Sequence, residues 1–176
     1  MGGGITIVGL GPGDPALVTR EAWSILESAE EAYGRTRFHG VWRHLPAHPR
    51  LHTFDSVYEK SEDFEDVYRT IVETLIDLAD RPRGVLYLVP GDPTVGEATV
   101  LQLRRRASEI GLPFRIVHGV SFLEPALALA GLDALDGLQV ADAFELSTLH
   151  HPPFHPDRPV VVGQLHSRLA ASDVKL

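Results

Sequence analysis

The chain has 176 residues, 44% of them hydrophobic and 23% charged, with no cysteine and a formal net charge of −8. This is the composition of one globular domain or two small ones, and it excludes disorder, collagen-like repeats and a coiled coil, while the missing cysteines exclude disulfides, zinc–thiolate sites, iron–sulfur clusters and thiol nucleophiles. The acidic balance is a poor fit to a general nucleic-acid binder, whose affinity rests on Lys and Arg neutralising phosphates, and no apolar run approaches the roughly 20 residues of a membrane helix. Met1-Gly2-Gly3-Gly4 has no basic region ahead of the short apolar stretch that follows. No signal peptide is therefore expected, and a soluble, cytoplasmic protein is.

Ile5-Thr6-Ile7-Val8-Gly9-Leu10 is a β-branched run ending in glycines, the pattern of a buried strand. A helix is predicted over 19–29, with Thr19 as N-cap and Glu21 near the positive end of its dipole. Short strands are expected at Ala32-Tyr33 and at 51–54, with a short helix over 42–45 between them. The apolar residues of 61–80 recur at three- and four-residue steps, which predicts a helix stopped by Pro82. Residues 85–89 form a continuous apolar strand, 97–110 the next helix with Gly111 as its stop, and 114–117 another strand. This alternation argues for a parallel sheet flanked by helices, an N-terminal α/β domain over 1–117. A C-terminal α/β section over 118–176 follows, with a helix over 123–130, strands at 138–140 and 159–163, a Pro/His loop over 150–156 and a final helix. About 58 residues are thin for an independent domain, so this section is expected to be incomplete or completed elsewhere.

The tetrapeptide Pro-Gly-Asp-Pro occurs twice, at 12–15 and at 90–93, each time just after a predicted parallel strand. Ligands of open α/β sheets bind outside those strand ends. Glycines let backbone approach a ligand, and Asp-Pro suits an N-cap followed by the first helical position. A plain strand-to-helix turn explains either copy alone; two copies on one sheet, with Gly9 and Gly11 beside the first, point to one crevice closed from both sides. The first loop is no dinucleotide fingerprint, because Asp14 stands where the third glycine would be and Pro12 removes a backbone donor. Glu30 and Glu31, about 20 residues on, keep a ribose-binding reading open. The third element is Val117-His118-Gly119-Val120-Ser121-Phe122, where Ser121 is placed to cap a helix, to touch a ligand, or both.

Together these segments resemble the tetrapyrrole (corrin/porphyrin) methylase family of two-domain methyltransferases, over nearly the whole chain. Within the family the chain is most similar to the methylase-like N-terminal part of bacterial proteins fused to a MazG-type nucleotide pyrophosphohydrolase, through 150–154, 163–168 and 172–176. The resemblance implies S-adenosyl-L-methionine as cofactor, held in a cleft between the two domains. Pro12 would line it at the first loop. Gly91, Asp92 and Val95 would hold its methionine and ribose portions. Ser121 and Phe122 would contact it from the domain junction, and Gln164 or Leu165 would sit near the adenine. It also implies a homodimer and leaves the acceptor open. Methyl transfer from a sulfonium needs binding, orientation and exclusion of water more than an acid–base pair, so no catalytic residue is named. The alternative from another class is a non-catalytic ligand-binding module serving a fused or partner MazG-type hydrolase; a nucleotide-binding Rossmann domain is a third.

Between Ala32 and Phe54 there is no acid, while Arg35, Arg37, Arg43 and Arg50 alternate with four histidines. The segment is either a solvated connection or a surface for an anionic small-molecule substrate. Arg104-Arg105-Arg106 is expected on a solvent face. His150, His151 and His155 have no supporting carboxylate spacing, and no metal site is expected from them.

Overall fold

Why these residues fold as they do is clearest along the chain. In the computed structural model, which describes residues 3–61, 63–165 and 168–174, the chain divides into two compact units, 1–122 and 123–176. The first unit opens with β1, Ile5–Gly9, followed by a one-turn 3-10 helix at Pro15–Leu17 capped by the Asp14 side chain. Helix α1, Arg20–Ser28, is capped by Thr19, whose oxygen accepts from the Ala22 N–H. Strand β2, Glu31–Gly34, leads through a 3-10 helix at Gly40–His44 to β3, Arg50–Thr53. Two helices follow, one ahead of the segment 61–80 where the periodicity predicts a helix and one within it. Helix α2, Asp55–Lys60, precedes α3, Phe64–Ala79, which starts at Phe64 because Asp63 caps the Glu65 N–H. Then come β4, Val85–Val89; α4, Ala98–Ile110, closed by Gly111 in the left-handed conformation; and β5, Phe114–Val117.

All five strands are parallel, in the order β3-β2-β4-β1-β5. The alternation of side chains sorts them onto two faces. Ile5, Ile7, Val85, Tyr87 and Val89 pack with Ile71, Leu75, Val100 and Leu103 of α3 and α4. Val8, Leu88 and Val117 pack on the other face with Ala22 and Leu26 of α1. The connection from β1 to β2 passes over β4, whereas that from β4 to β5 passes over β1 in the opposite direction. Right-handed crossovers running in opposite directions must place their helices on opposite faces. The strand order therefore reverses between β1 and β4, and a crevice opens at their carboxyl ends.

The second unit contains α5, Leu123–Ala130; β6, Gln139–Asp142; α6, Ala143–Thr148; β7, Val160–Gly163; and α7, Arg168–Asp173. Strands β6 and β7 are parallel, and Ala143, Leu146 and Val174 form a small core with Ala141, Phe154 and Val162. Asp142 caps α6 through the Phe144 N–H. Helix α6 has no counterpart in the sequence expectations, because its six residues are too few to show a period. The division between units falls after Phe122 rather than Val117, since residues 118 and 119 bond and pack onto the first unit. Among the described residues no helix is long and apolar enough to cross a membrane.

Candidate functional site

Three loops leave the carboxyl ends of the adjacent strands β4, β1 and β5, and they are tied together by backbone. Gly91 N–H donates to Gly11 O at 2.7 Å, and Gly11 N–H donates to Gly91 O at 3.2 Å, so the second Pro-Gly-Asp-Pro turn exchanges hydrogen bonds with the residue just ahead of the first. Four of the five glycines at this junction divide into two kinds. A Cβ at Gly9 would lie 2.5 Å from Gly91 O and 2.8 Å from Gly119 N, and one at Gly119 would lie 2.3 Å from Gly91 O. These two are glycine because three backbones meet there. Gly13 and Gly91 have positive φ, 124° and 65°, and their missing side chains face open space: nothing lies within 4 Å at Gly13, and only Ser121 Cα, at 3.9 Å, at Gly91. Backbone left bare on its open side is what a ligand approaching a glycine loop requires.

Asp92 joins the second loop to the third. Its Oδ1 accepts from the Thr94 N–H at 2.8 Å and the Thr94 hydroxyl at 2.5 Å. Its Oδ2 accepts from His118 Nδ1 at 2.8 Å and from the Gly119 N–H at 3.2 Å. An ionised carboxylate only accepts, so Nδ1 of His118 carries the proton. Burial works to raise the Asp92 pKa, but these four donors outweigh it and hold the carboxyl below its ordinary value of 3.8. Asp14, at the same place in the first tetrapeptide, is exposed and caps only the Ala16 N–H. Thr19 adds a second tie, its hydroxyl donating to His118 O at 3.1 Å while it caps α1.

The connection after β2 closes on the first loop. His39 Nε2 donates to Gly11 O at 3.1 Å, which leaves the buried Nδ1 without a partner among the described residues, and burial pulls the His39 pKa down. Gly40 packs on Gly13, where a Cβ would meet Gly13 O at 2.3 Å. Beside it, Arg35 pairs with Glu97 at 2.5 Å and donates from Nε to the Tyr58 hydroxyl at 3.2 Å. Burial pushes the Glu97 carboxyl up, against the pull of Arg35. Truncating one partner of a buried pair leaves the other uncompensated. Glu97→Ala is therefore expected to lower stability by about 3–5 kcal/mol in urea denaturation, with Glu97→Gln costing less.

Two carboxylates here make stability depend on pH. Asp55 is buried and accepts from the Thr36 hydroxyl at 2.6 Å and the Arg37 N–H at 3.1 Å; burial would raise its pKa, but the hydrogen bonds lower it from 3.8. With Asp55 and Asp92 both lowered on folding, the unfolded chain binds protons first as the pH falls. Their contribution is fully present above the unfolded value of 3.8 and is lost as the pH drops through it toward the folded values. Urea titrations between pH 6 and about pH 3 should show that loss, and Asp55→Asn and Asp92→Asn should each flatten the slope.

Of the residues singled out from the sequence, Pro12, Gly91, Asp92, Val95 and Ser121 gather in the first unit's three loops. Val95 N–H closes the second turn on Asp92 O at 3.0 Å, Ser121 is buried, and Phe122 is 39% exposed. Gln164 and Leu165 follow β7 in the second unit, both exposed, Gln164 with a φ of 63°. The ribose-acid reading of Glu30 and Glu31 is corrected. Glu31 begins β2, at the end of the sheet away from the glycine loops, where it binds Arg81 and His52. The acid-free segment 32–54 is no undivided basic surface either: Arg35, Arg37 and Arg50 pair with Glu97, Asp55 and Glu31. Arg104, Arg105 and Arg106 are exposed, as expected. The links through His39, His118 and Glu97 were missed, because each joins residues at least 26 apart in sequence and only the sheet brings them together.

Comparison with known proteins matches residues 4–170 to the model of the tetrapyrrole (corrin/porphyrin) methylases. The chain belongs to this family. YabN of Bacillus subtilis (strain 168) is 34% identical over 182 residues, across all of this tetrapyrrole methylase chain and 35% of YabN. A uroporphyrinogen-III C-methyltransferase of the same strain is 33% identical over 138 residues, covering 74% of the chain and 49% of that protein. The crystal structure of uroporphyrin-III C-methyltransferase from Thermus thermophilus superposes with a TM-score of 0.64 at 28% identity, covering 86% of the chain and 65% of that structure. The chain thus spans about a third of YabN and about half of the Bacillus methyltransferase.

Proposed function

We propose that this chain is an S-adenosylmethionine-dependent methyl-transfer domain whose cofactor rests on the glycine loops of the first unit. The single observation carrying the reading is the two-way exchange between Gly11 and Gly91, which brings both tetrapeptides to one point with bare backbone on the open side. Pro12, Gly91, Val95, Ser121 and Phe122 are the contacts proposed. Bound there, the cofactor supplies an activated methyl group on a sulfonium. The chain's own residues bind, orient and exclude water. Both Asp92 oxygens are engaged within the protein, so Asp92 is proposed to position the second and third loops.

The acceptor is proposed to be an anionic small molecule, since Arg37 and Arg43 are exposed on the segment that packs against the first loop. Isothermal titration with S-adenosylhomocysteine tests the site: one saturable event per chain is expected, and its absence from the folded protein overturns the reading.

A second reading is favoured by the greater length of YabN, of which the chain spans 35%. In it the domain binds the cofactor without turnover, as a regulatory module for a fused hydrolase of the MazG type. Release of labelled methyl onto any acceptor would exclude it.

A further inference from the structure

At the far end of the same sheet, away from the glycine loops, lies a cavity of about 520 Å³ lined only by first-unit residues. Its origin is the shortness of α1. In both β1 and β4 every residue is buried except the second, Thr6 and Leu86. These two stand side by side in one row with Arg115 of β5. Helix α1 ends at Ser28, so it covers the next row, Val8 and Leu88, and leaves this one open. The floor is accordingly apolar, Ile25, Ala29 and Leu86, with Thr6 beside them.

The rim is cationic. Arg50, Arg81, Arg83 and Arg115 line it, against Glu30 and Glu31. Four arginines stand against three acids, Glu30 and Glu31 in the lining and Glu21 beside Arg115, in a chain whose net charge is −8. The excess centres on Glu31, one carboxylate approached by Arg81 at 3.2 Å, Arg50 at 3.8 Å and His52 at 2.9 Å, which also accepts from the Tyr33 hydroxyl at 2.9 Å. Arg83 pairs with Glu30, and Arg115 with Glu21 at 2.6 Å. All four arginine side chains are at least half exposed. Exposed pairs of this kind hold their partners weakly, and each guanidinium keeps donors beyond the one used. Guanidinium forks match phosphate oxygens two at a time. The volume falls in the range of about 300–1,000 Å³ of small-molecule sites.

We infer that this depression is a second ligand site, independent of the methyl-donor loops, for an organic phosphate: phosphoryl groups on the arginine rim and a flat apolar body, such as a nucleobase, on the Ile25–Leu86 floor. No reaction is assigned to it. The site stands whether or not the chain transfers methyl groups.

The test is titration of the full chain with ATP, without divalent metal, at low salt, with inorganic pyrophosphate and S-adenosylhomocysteine in parallel. ATP is expected to bind once per chain with a dissociation constant below about 1 mM, and to bind more weakly as salt is raised. The double variant Arg50→Gln, Arg115→Gln removes two exposed cations from opposite sides of the rim. It is expected to weaken ATP about tenfold or more while leaving S-adenosylhomocysteine binding and the melting temperature unchanged. Arg115→Gln alone should give a smaller loss in the same direction. The inference is overturned if ATP gives no saturable binding up to about 5 mM, if the variants bind it as the parent does, or if S-adenosylhomocysteine displaces it. Pyrophosphate binding as tightly as ATP would overturn the role of the apolar floor. Loss of S-adenosylhomocysteine binding with ATP binding intact would count against the methyl-donor reading alone.

Discussion

Gly119→Ala is expected to abolish binding of S-adenosylhomocysteine and to destabilise the chain by about 3 kcal/mol, the upper part of the range for forcing atoms into a packed interior. The added Cβ would lie 2.3 Å from Gly91 O, 2.9 Å from Gly9 C and 3.0 Å from Gly9 O. All three are backbone atoms, so no side-chain rotation relieves the contact. Only separation of the third loop from the other two does, and that breaks the Gly119 bond to Asp92 and disturbs the Gly11–Gly91 exchange. The φ of Gly119 is not in the left-handed region, so the penalty is purely spatial. Gly13→Ala supplies the contrast. There the φ of 124° is costly for any side chain, yet nothing lies within 4 Å. Its stability loss should be smaller, about 1–2 kcal/mol, and any loss of affinity should come from the side chain entering the space kept for the ligand. Thermal melts and titration calorimetry on the pair separate the two effects. An alanine at 119 with parental melting temperature and affinity would show that the three backbones do not meet as described.

Asp92→Ala should lower both stability and cofactor affinity. Four donors converge on this buried carboxylate, and its removal strands the Thr94 and Gly119 N–H groups and frees His118. A buried donor left without an acceptor costs about 1–3 kcal/mol, and partial access of water at the loops reduces the sum to about 2–4 kcal/mol. Affinity for S-adenosylhomocysteine should fall by about tenfold or more, because the second and third loops lose their fixed spacing. Asp92→Asn keeps one acceptor oxygen for Thr94 but presents an amide to Gly119, so it should fall between parent and alanine. Asp14→Ala should cost only about 0.5–2 kcal/mol as a lost cap, although it stands in the same tetrapeptide. Equal losses at the two positions would remove the special role given to Asp92.

The layout of the first unit was readable because strand and helix periods differ and the breaks between them are marked. The buried runs at β1 and β4, the Thr19 cap, the Gly111 stop and the doubled tetrapeptide all lie where local chemistry places them. Helices α2 and α6 escaped notice because each has only six residues, too few to show a period. Their stability comes from Val57 and Tyr58 packing on the main core, and from Ala143 and Leu146 packing in the second unit.

Local sequence alone determined that this chain builds a parallel sheet with glycine-rich turns at the carboxyl ends of two strands, since hydrophobic period, capping and proline geometry act within a few residues. Which aspartate of two identical tetrapeptides is buried, which glycines are packed and which are open, and that Glu31 lies at the far pole among arginines were decided only by the strand order β3-β2-β4-β1-β5. That order sets β4 beside β1 and β1 beside β5, and so brings together groups such as Asp92 and His118 whose separation along the chain carries no local signal.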